Sequence, residues 1–134
     1  MNKLTLDRKE HLFVCRVYVE DTDLMGIVYH ANYLNMFERA RTELLRDNGL
    51  SLTTMAEYGT NFSIYEAHIR YVSPARLDDV LSIKTTGERK KSCSLLFHQV
   101  MYNQLDQLLS EATIQVVCVD EHLKPKRLPK EIMW

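Results

Sequence analysis

The spacing of apolar side chains changes along this sequence, and the changes divide it into elements. Residues 11–20, "HLFVCRVYVE", crowd β-branched and aromatic side chains and predict a strand. Over 31–48 the apolar positions fall at helical spacing. Tyr33, Phe37, Ala40 and Leu44 form one stripe, which Leu34, Met36 and Leu45 widen. Asn48-Gly49 ends the pattern, because both residues tolerate the left-handed conformation that closes a helix. A short second helix or turn is expected at 51–58. The pattern then turns strand-like, predicting strands at 61–72, 79–87, 92–103 and 109–120. Their links, "SPARLD", "ERKK" and "QLDQ", are short enough to imply antiparallel neighbours. Pro125 and Pro129 should carry the tail out of the sheet.

Strand, long helix and four strands make an α+β class, expected as one domain over residues 1–134. One helix covers one face of an antiparallel sheet. Apolar residues are expected on both sides of 61–72, 92–103 and 109–119. In the first of these, Phe62 and Ile64 alternate against Tyr65, Ala67, Ile69 and Tyr71. A second apolar face calls for burial against another subunit, so a homo-oligomer is expected. Glu38 and Arg41, three residues apart, are expected to pair on the helix surface or at a subunit contact.

Composition narrows the class. The 134 residues are 46% hydrophobic and 26% charged with a formal net charge of −1, which gives no footing for nucleic-acid binding. Cys15, Cys93 and Cys118 lack metal-ligand spacing and sit in apolar runs, as packing residues do in a reducing compartment. The opening "MNKLTLDRKEHLF" has no apolar targeting core, and no stretch approaches the roughly 18 apolar residues of a membrane span. A cytoplasmic location is therefore expected.

Several familiar sites are excluded. Asp21, Asp23 and Gly26 match positions of a calcium loop, but Met25 and Asn32 fall where that loop needs other oxygen ligands. No phosphate-cradling glycine motif, serine-hydrolase elbow or zinc-spaced histidine pair occurs. What remains is a pair of acids in a loop that runs into a helix. The first N–H groups of a helix have no internal partners and can hold an oxyanion. A nearby carboxylate can serve as general base or nucleophile. On spacing alone an acid that shapes the turn is the better account of Asp23.

The block "DTDLMGIVYHANY" within residues 17–46, together with "YVSPARLDDVL", "VVCVD" and "PKRLPKEI", resembles the hotdog-fold acyl-CoA thioesterases of the 4-hydroxybenzoyl-CoA thioesterase superfamily. Among these it is most similar to the Tol–Pal-associated, YbgC-type branch. The resemblance implies a five-stranded antiparallel sheet wrapped around one long helix, and hydrolysis of an acyl-CoA to free acid and coenzyme A. It implies Asp23 as the catalytic carboxylate, and the backbone N–H of about His30 as oxyanion donor. The His30 side chain would act as acid/base or only orient Asp23 or a water. Gly26 would let the loop approach the thioester, Asp21 would bond loop amides, and Tyr29 is a candidate substrate contact. Arg89, Lys90 and Lys91 are either a solvated turn or a dock for coenzyme A phosphates, with Arg70, Arg76 and Lys126 as lesser candidates. No metal or redox cofactor is implied; the family's habit of pairing edge strands and stacking dimers implies at least a homodimer and by preference a tetramer. The alternatives are an acyl-carrier-protein thioesterase, with that carrier as partner, a hotdog dehydratase, or a non-catalytic module of the cell-envelope Tol–Pal system.

Overall fold

A computed structural model describes residues 10–132; the amino-terminal stretch scanned above for a targeting segment lies mostly outside them. The chain forms β1 (His11–Arg16), α1 (Asn32–Asp47), α2 (Leu52–Glu57), β2 (Asn61–Tyr71), β3 (Val80–Lys91), β4 (Ser94–Tyr102) and β5 (Leu108–Val119). All five strands join one antiparallel sheet in the order β1-β3-β4-β5-β2. Among the described residues, no helix is long and apolar enough to cross a membrane.

The core lies between α1 and one face of this sheet. Tyr33, Phe37, Ala40 and Leu44 are buried, as are Met36 and Leu45, while Leu34 at the edge of the expected stripe stays 39% exposed. They join Leu81, Ile83, Leu95, Phe97 and Ile114 from the strands in one apolar cluster. Each large side chain so buried contributes about 2 kcal/mol. Cys118 is fully buried and Cys15 packs against the same cluster, both as free thiols.

Five expectations need correcting. First, β1 stops at Arg16 rather than at residue 20, because the Asp21 carboxylate accepts a hydrogen bond from the Tyr18 N–H and folds Val19–Asp21 into a 3-10 turn. Second, "ERKK" is not a connection. Pairing continues through Glu88↔Leu96, Arg89↔Leu95 and Lys91↔Ser94, and Ser92-Cys93 makes the turn. Third, β2 and β3 are not neighbours. Their link bonds Val72 and Ser73 to the Leu109 carbonyl and Ala75 to the Tyr33 hydroxyl, crossing the start of α1 while β2 pairs with β5.

The fourth correction concerns the second face. On the side away from α1, Leu96, His98 and Val100 of β4 stand beside Glu111, Thr113 and Gln115 of β5, a mixed surface. The apolar surplus lies instead on the edge strand β2, where Ile64 is 50% and Tyr71 47% exposed although they oppose core positions of β5. Last, Arg41 is not a surface residue. It is 8% exposed; its Nη1 donates to Gln99 Oε1 at 2.9 Å, and Glu38 stands 3.8 Å from its other nitrogen. Burial pulls the Arg41 guanidinium below its ordinary pKa, and Glu38 opposes that shift. Gln99 also donates to the Phe37 carbonyl at 2.9 Å and the Thr85 hydroxyl at 3.0 Å, so this one amide ties α1 to the sheet.

That network generates a prediction. Gln99→Leu strands a buried cation and a carbonyl and should cost about 2–4 kcal/mol in urea unfolding. Arg41→Met in the same chain should recover most of the loss, since an apolar pair leaves nothing unpaired. A single variant as stable as the parent would show that water already satisfies these groups.

Candidate active site

The stretch between β1 and α1 is held by its own backbone. Val17 exchanges hydrogen bonds with Asp78 and Asp79 beyond the sheet's edge. Thr22 bridges Val28, the Asp23 N–H bonds the Ile27 carbonyl at 3.0 Å, and the Gly26 N–H bonds the Asp23 carbonyl at 3.0 Å. This tongue is fastened to the β2–β3 link by Val28 N–H to Ala75 O at 2.8 Å and Leu77 N–H to Gly26 O at 3.3 Å. Asp21 is buried, as a structural acid should be. Its carbonyl takes the Tyr29 N–H and the Asn32 side-chain amide, drawing the tongue toward the start of α1.

Asp23 sits at the base of the turn. Its Oδ1 accepts the Met25 N–H at 2.8 Å; Oδ2 has no hydrogen-bond partner among the described residues. Gly26 has φ +75°, a left-handed conformation that L side chains adopt at a cost. A Cβ there would meet nothing within 4 Å. Within this chain, then, backbone conformation rather than crowding calls for glycine.

The adjacent end of α1 is open. No side chain caps it and no acid stands in its first turn. Asp23, His30, Tyr33 and Tyr71, with Met25, Ile27, Val28 and Val72–Pro74, line a cavity of about 370 Å³. Tyr33 is 3% exposed and its hydroxyl accepts the Ala75 N–H at 3.0 Å; burial is the main cause that raises its phenol above the usual tyrosine range. The His30 ring lies against Tyr29, with centroids 4.5 Å apart. It shares the cavity with Asp23 without a hydrogen bond between them. Tyr29 is 48% exposed and does not itself line this cavity.

The basic run is elsewhere. Arg89, Lys90 and Lys91 end β3, whose other end adjoins the Asp23 tongue. At roughly 3.3 Å per residue they are on the order of 30 Å away. Arg89 donates to the Ile132 carbonyl at 2.7 Å and so pins the tail. Lys126 is committed to Tyr58, Gly59 and Thr60 after α2, and Arg70 pairs with Glu111; Arg76 bridges Ile27 beside the tongue. Tyr71, Val72, Ser73 and Pro74 form a wall that the strand pattern did not single out. An aromatic residue closing a strand ahead of Ser-Pro was the available signal. A separate cavity of about 240 Å³ between α1 and β2 is lined by Glu38, Arg41, Phe62 and Ile64 and holds none of the candidate residues.

Comparison with known proteins fits this geometry. Residues 17–133 match the family model of the thioesterase-like superfamily. The chain is 44% identical over 119 residues to the acyl-CoA thioester hydrolase YbgC of Escherichia coli, covering 88% of this chain and 89% of that protein. It is 46% identical over 123 residues to the acyl-CoA thioesterase YbgC of Haemophilus influenzae, covering 90% and 89%. The chain belongs to the thioesterase-like superfamily. Among solved structures, a probable thioesterase from Bartonella henselae superposes with a TM-score of 0.85 at 38% identity, covering 90% of this chain and 99% of that one. A 1,4-dihydroxy-2-naphthoyl-CoA thioesterase from Synechocystis superposes with a TM-score of 0.86 at 26% identity, covering 91% of each. These neighbours make the fold a hotdog, and membership of the superfamily makes the chain a thioester hydrolase.

In this thioesterase the shape of the Asp23 turn can be tested through Gly26. Gly26→Ala should cost about 1 kcal/mol of stability and, because relaxing φ moves the Asp23 carboxylate, lower turnover if that carboxylate is the reacting group. Thermal melting and a thiol-release assay read the two effects. Unchanged values in both would mean that the turn tolerates a side chain in this conformation.

Proposed function

We propose that this chain hydrolyses acyl-CoA, releasing a free acid and coenzyme A. The observation that carries the reading is the Asp23 carboxylate. One oxygen is tied to the Met25 N–H, and the residue lines a cavity together with His30 and Tyr33, which flank the uncapped start of α1. The acyl-CoA names of the YbgC relatives support the substrate class.

In this reading the thioester carbonyl lies with its oxygen toward the N–H groups at His30 and Ala31. Asp23 Oδ2 either takes a proton from an attacking water or itself attacks the carbonyl carbon. The carbonyl π electrons move to oxygen, where helix N–H groups and the positive end of the dipole stabilise them. Collapse of that oxyanion breaks the C–S bond and expels the coenzyme A thiolate. If water attacked, this leaves the acid; if Asp23 attacked, water then hydrolyses the acyl anhydride. Open apolar residues on β2 favour a second copy along that edge, which would place another protomer's residues over the cavity. Lys90 and Lys91 would then dock the phosphates of a substrate held by the neighbouring copy.

Two outcomes are expected. Asp23→Asn keeps the Oδ1 acceptor for Met25 and should melt like the parent, yet lose about 10²–10⁴-fold in kcat. Near-normal turnover by this variant would remove Asp23 from the chemistry. Replacing Lys90 and Lys91 with Ala, while leaving Arg89 to hold the tail, should raise KM and spare kcat. The effect should fade as salt rises. Equal KM values at low salt would reduce the run to a solvated strand end.

A further inference from the structure

Two successive peptide groups open α1, and each is held by its oxygen. The Tyr29 carbonyl accepts the Asn32 N–H at 2.8 Å. The His30 carbonyl accepts a hydrogen bond from the Tyr71 hydroxyl, also at 2.8 Å, donated from the far end of β2. The first restraint is main chain to main chain and would accompany any helix start. The second comes from a side chain 41 residues along the sequence, on an edge strand that approaches α1 only in the folded chain.

The second restraint acts on one particular donor. The His30 carbonyl and the Ala31 N–H are two ends of one planar peptide, so fixing the oxygen fixes the direction of the N–H. A hydrogen bond to the carbonyl also polarises the peptide and strengthens its N–H as a donor. Neither the His30 nor the Ala31 N–H donates to another described residue. The Tyr71 ring is itself held. It meets Tyr33 edge-on at 5.1 Å and His30 edge-on at 6.4 Å, and it lines the Asp23 cavity. Its phenol carries its proton at neutral pH as any tyrosine does, and desolvation pushes it further in that direction.

We propose that Tyr71 is a positioning residue of the hydrolytic site. Its hydroxyl, acting through the His30 carbonyl, aims the Ala31 N–H at the thioester oxygen as that oxygen becomes an oxyanion. The proposal rests on the reading of this helix start as the oxyanion site. Tyr71 neither gains nor loses a proton. Its contribution grows with the charge on the oxygen, so it bears on kcat rather than on ground-state binding.

Tyr71→Phe isolates the hydroxyl, because the ring contacts with Tyr33 and His30 survive. Losing a donor outright costs about 10²–10³-fold in kcat; losing only its alignment should cost on the order of tenfold, with KM within about twofold. The pH profile should keep the parent's shape. In ¹H–¹⁵N spectra the Ala31 amide proton should move upfield while the interior of α1 stays in place, a readout independent of activity. An unchanged kcat overturns the proposal. So does a raised KM with normal kcat, which would make Tyr71 a substrate contact, and so does loss of the basic limb of the pH profile, which would make it a proton donor. Asp23→Asn assayed in parallel separates the two readings. If that variant is active, the site itself is wrong. If it is inactive while Tyr71→Phe matches the parent, only the role of Tyr71 is wrong.

Discussion

Burial of the α1 stripe against the sheet is the constraint from which the rest follows. Phe37, Ala40 and Leu44 leave water only if the helix lies on the face formed by Leu81, Ile83, Leu95, Phe97 and Ile114. That fixes the helix axis and therefore where its first peptides emerge. The chain entering from β1 must come to that point, and the link leaving β2 must cross it. Two irregular segments are thus brought to the positive end of one helix. They are welded there by Val28–Ala75, Gly26–Leu77 and Ala75–Tyr33 hydrogen bonds rather than by apolar packing alone.

On the proposed role of Asp23, this is how a short loop would support chemistry. A carboxylate on a free loop would spread over many positions, and hydrolysis depends on reacting groups held to within a fraction of an ångström. Here the Asp23 carboxylate is set by a closed turn, the turn by the β2–β3 link, and the link by Tyr33 of the buried helix. Core stability and site geometry draw on the same contacts. The polar anchor Arg41–Gln99–Thr85 ties the middle of the helix to the sheet, through the Arg41 side chain and the Phe37 carbonyl.

Much of the fold was legible because both periodicities were strong. The stripe at Tyr33, Phe37, Ala40 and Leu44 and the β-branched runs of β4 and β5 mark elements whose type local pattern decides. The failures have physical causes. Val17–Glu20 are as strand-prone as the residues before them, but one local hydrogen bond, from the Tyr18 N–H to the Asp21 carboxylate three residues on, outweighs that propensity and bends them. Strand order was hidden because the "SPARLD" link is short in sequence and nevertheless crosses the helix end. Arg41 reads as a surface charge because nothing local announces Gln99, 58 residues away. At the site, the acid block stood out as a motif, whereas the opposite wall at Tyr71 exists only through tertiary packing.

The central claim is that these elements together cleave a thioester, and catalysis by the purified full chain tests it most directly. The measurement is release of free thiol, followed colorimetrically over a panel of acyl-CoA substrates that runs from short to long aliphatic chains and includes aromatic acyl groups. The account predicts thiol released well above the spontaneous rate for at least one class of acyl group, in proportion to protein concentration and with one free acid formed per thiol. No release above background from any member of the panel, by protein shown to be folded, would contradict it.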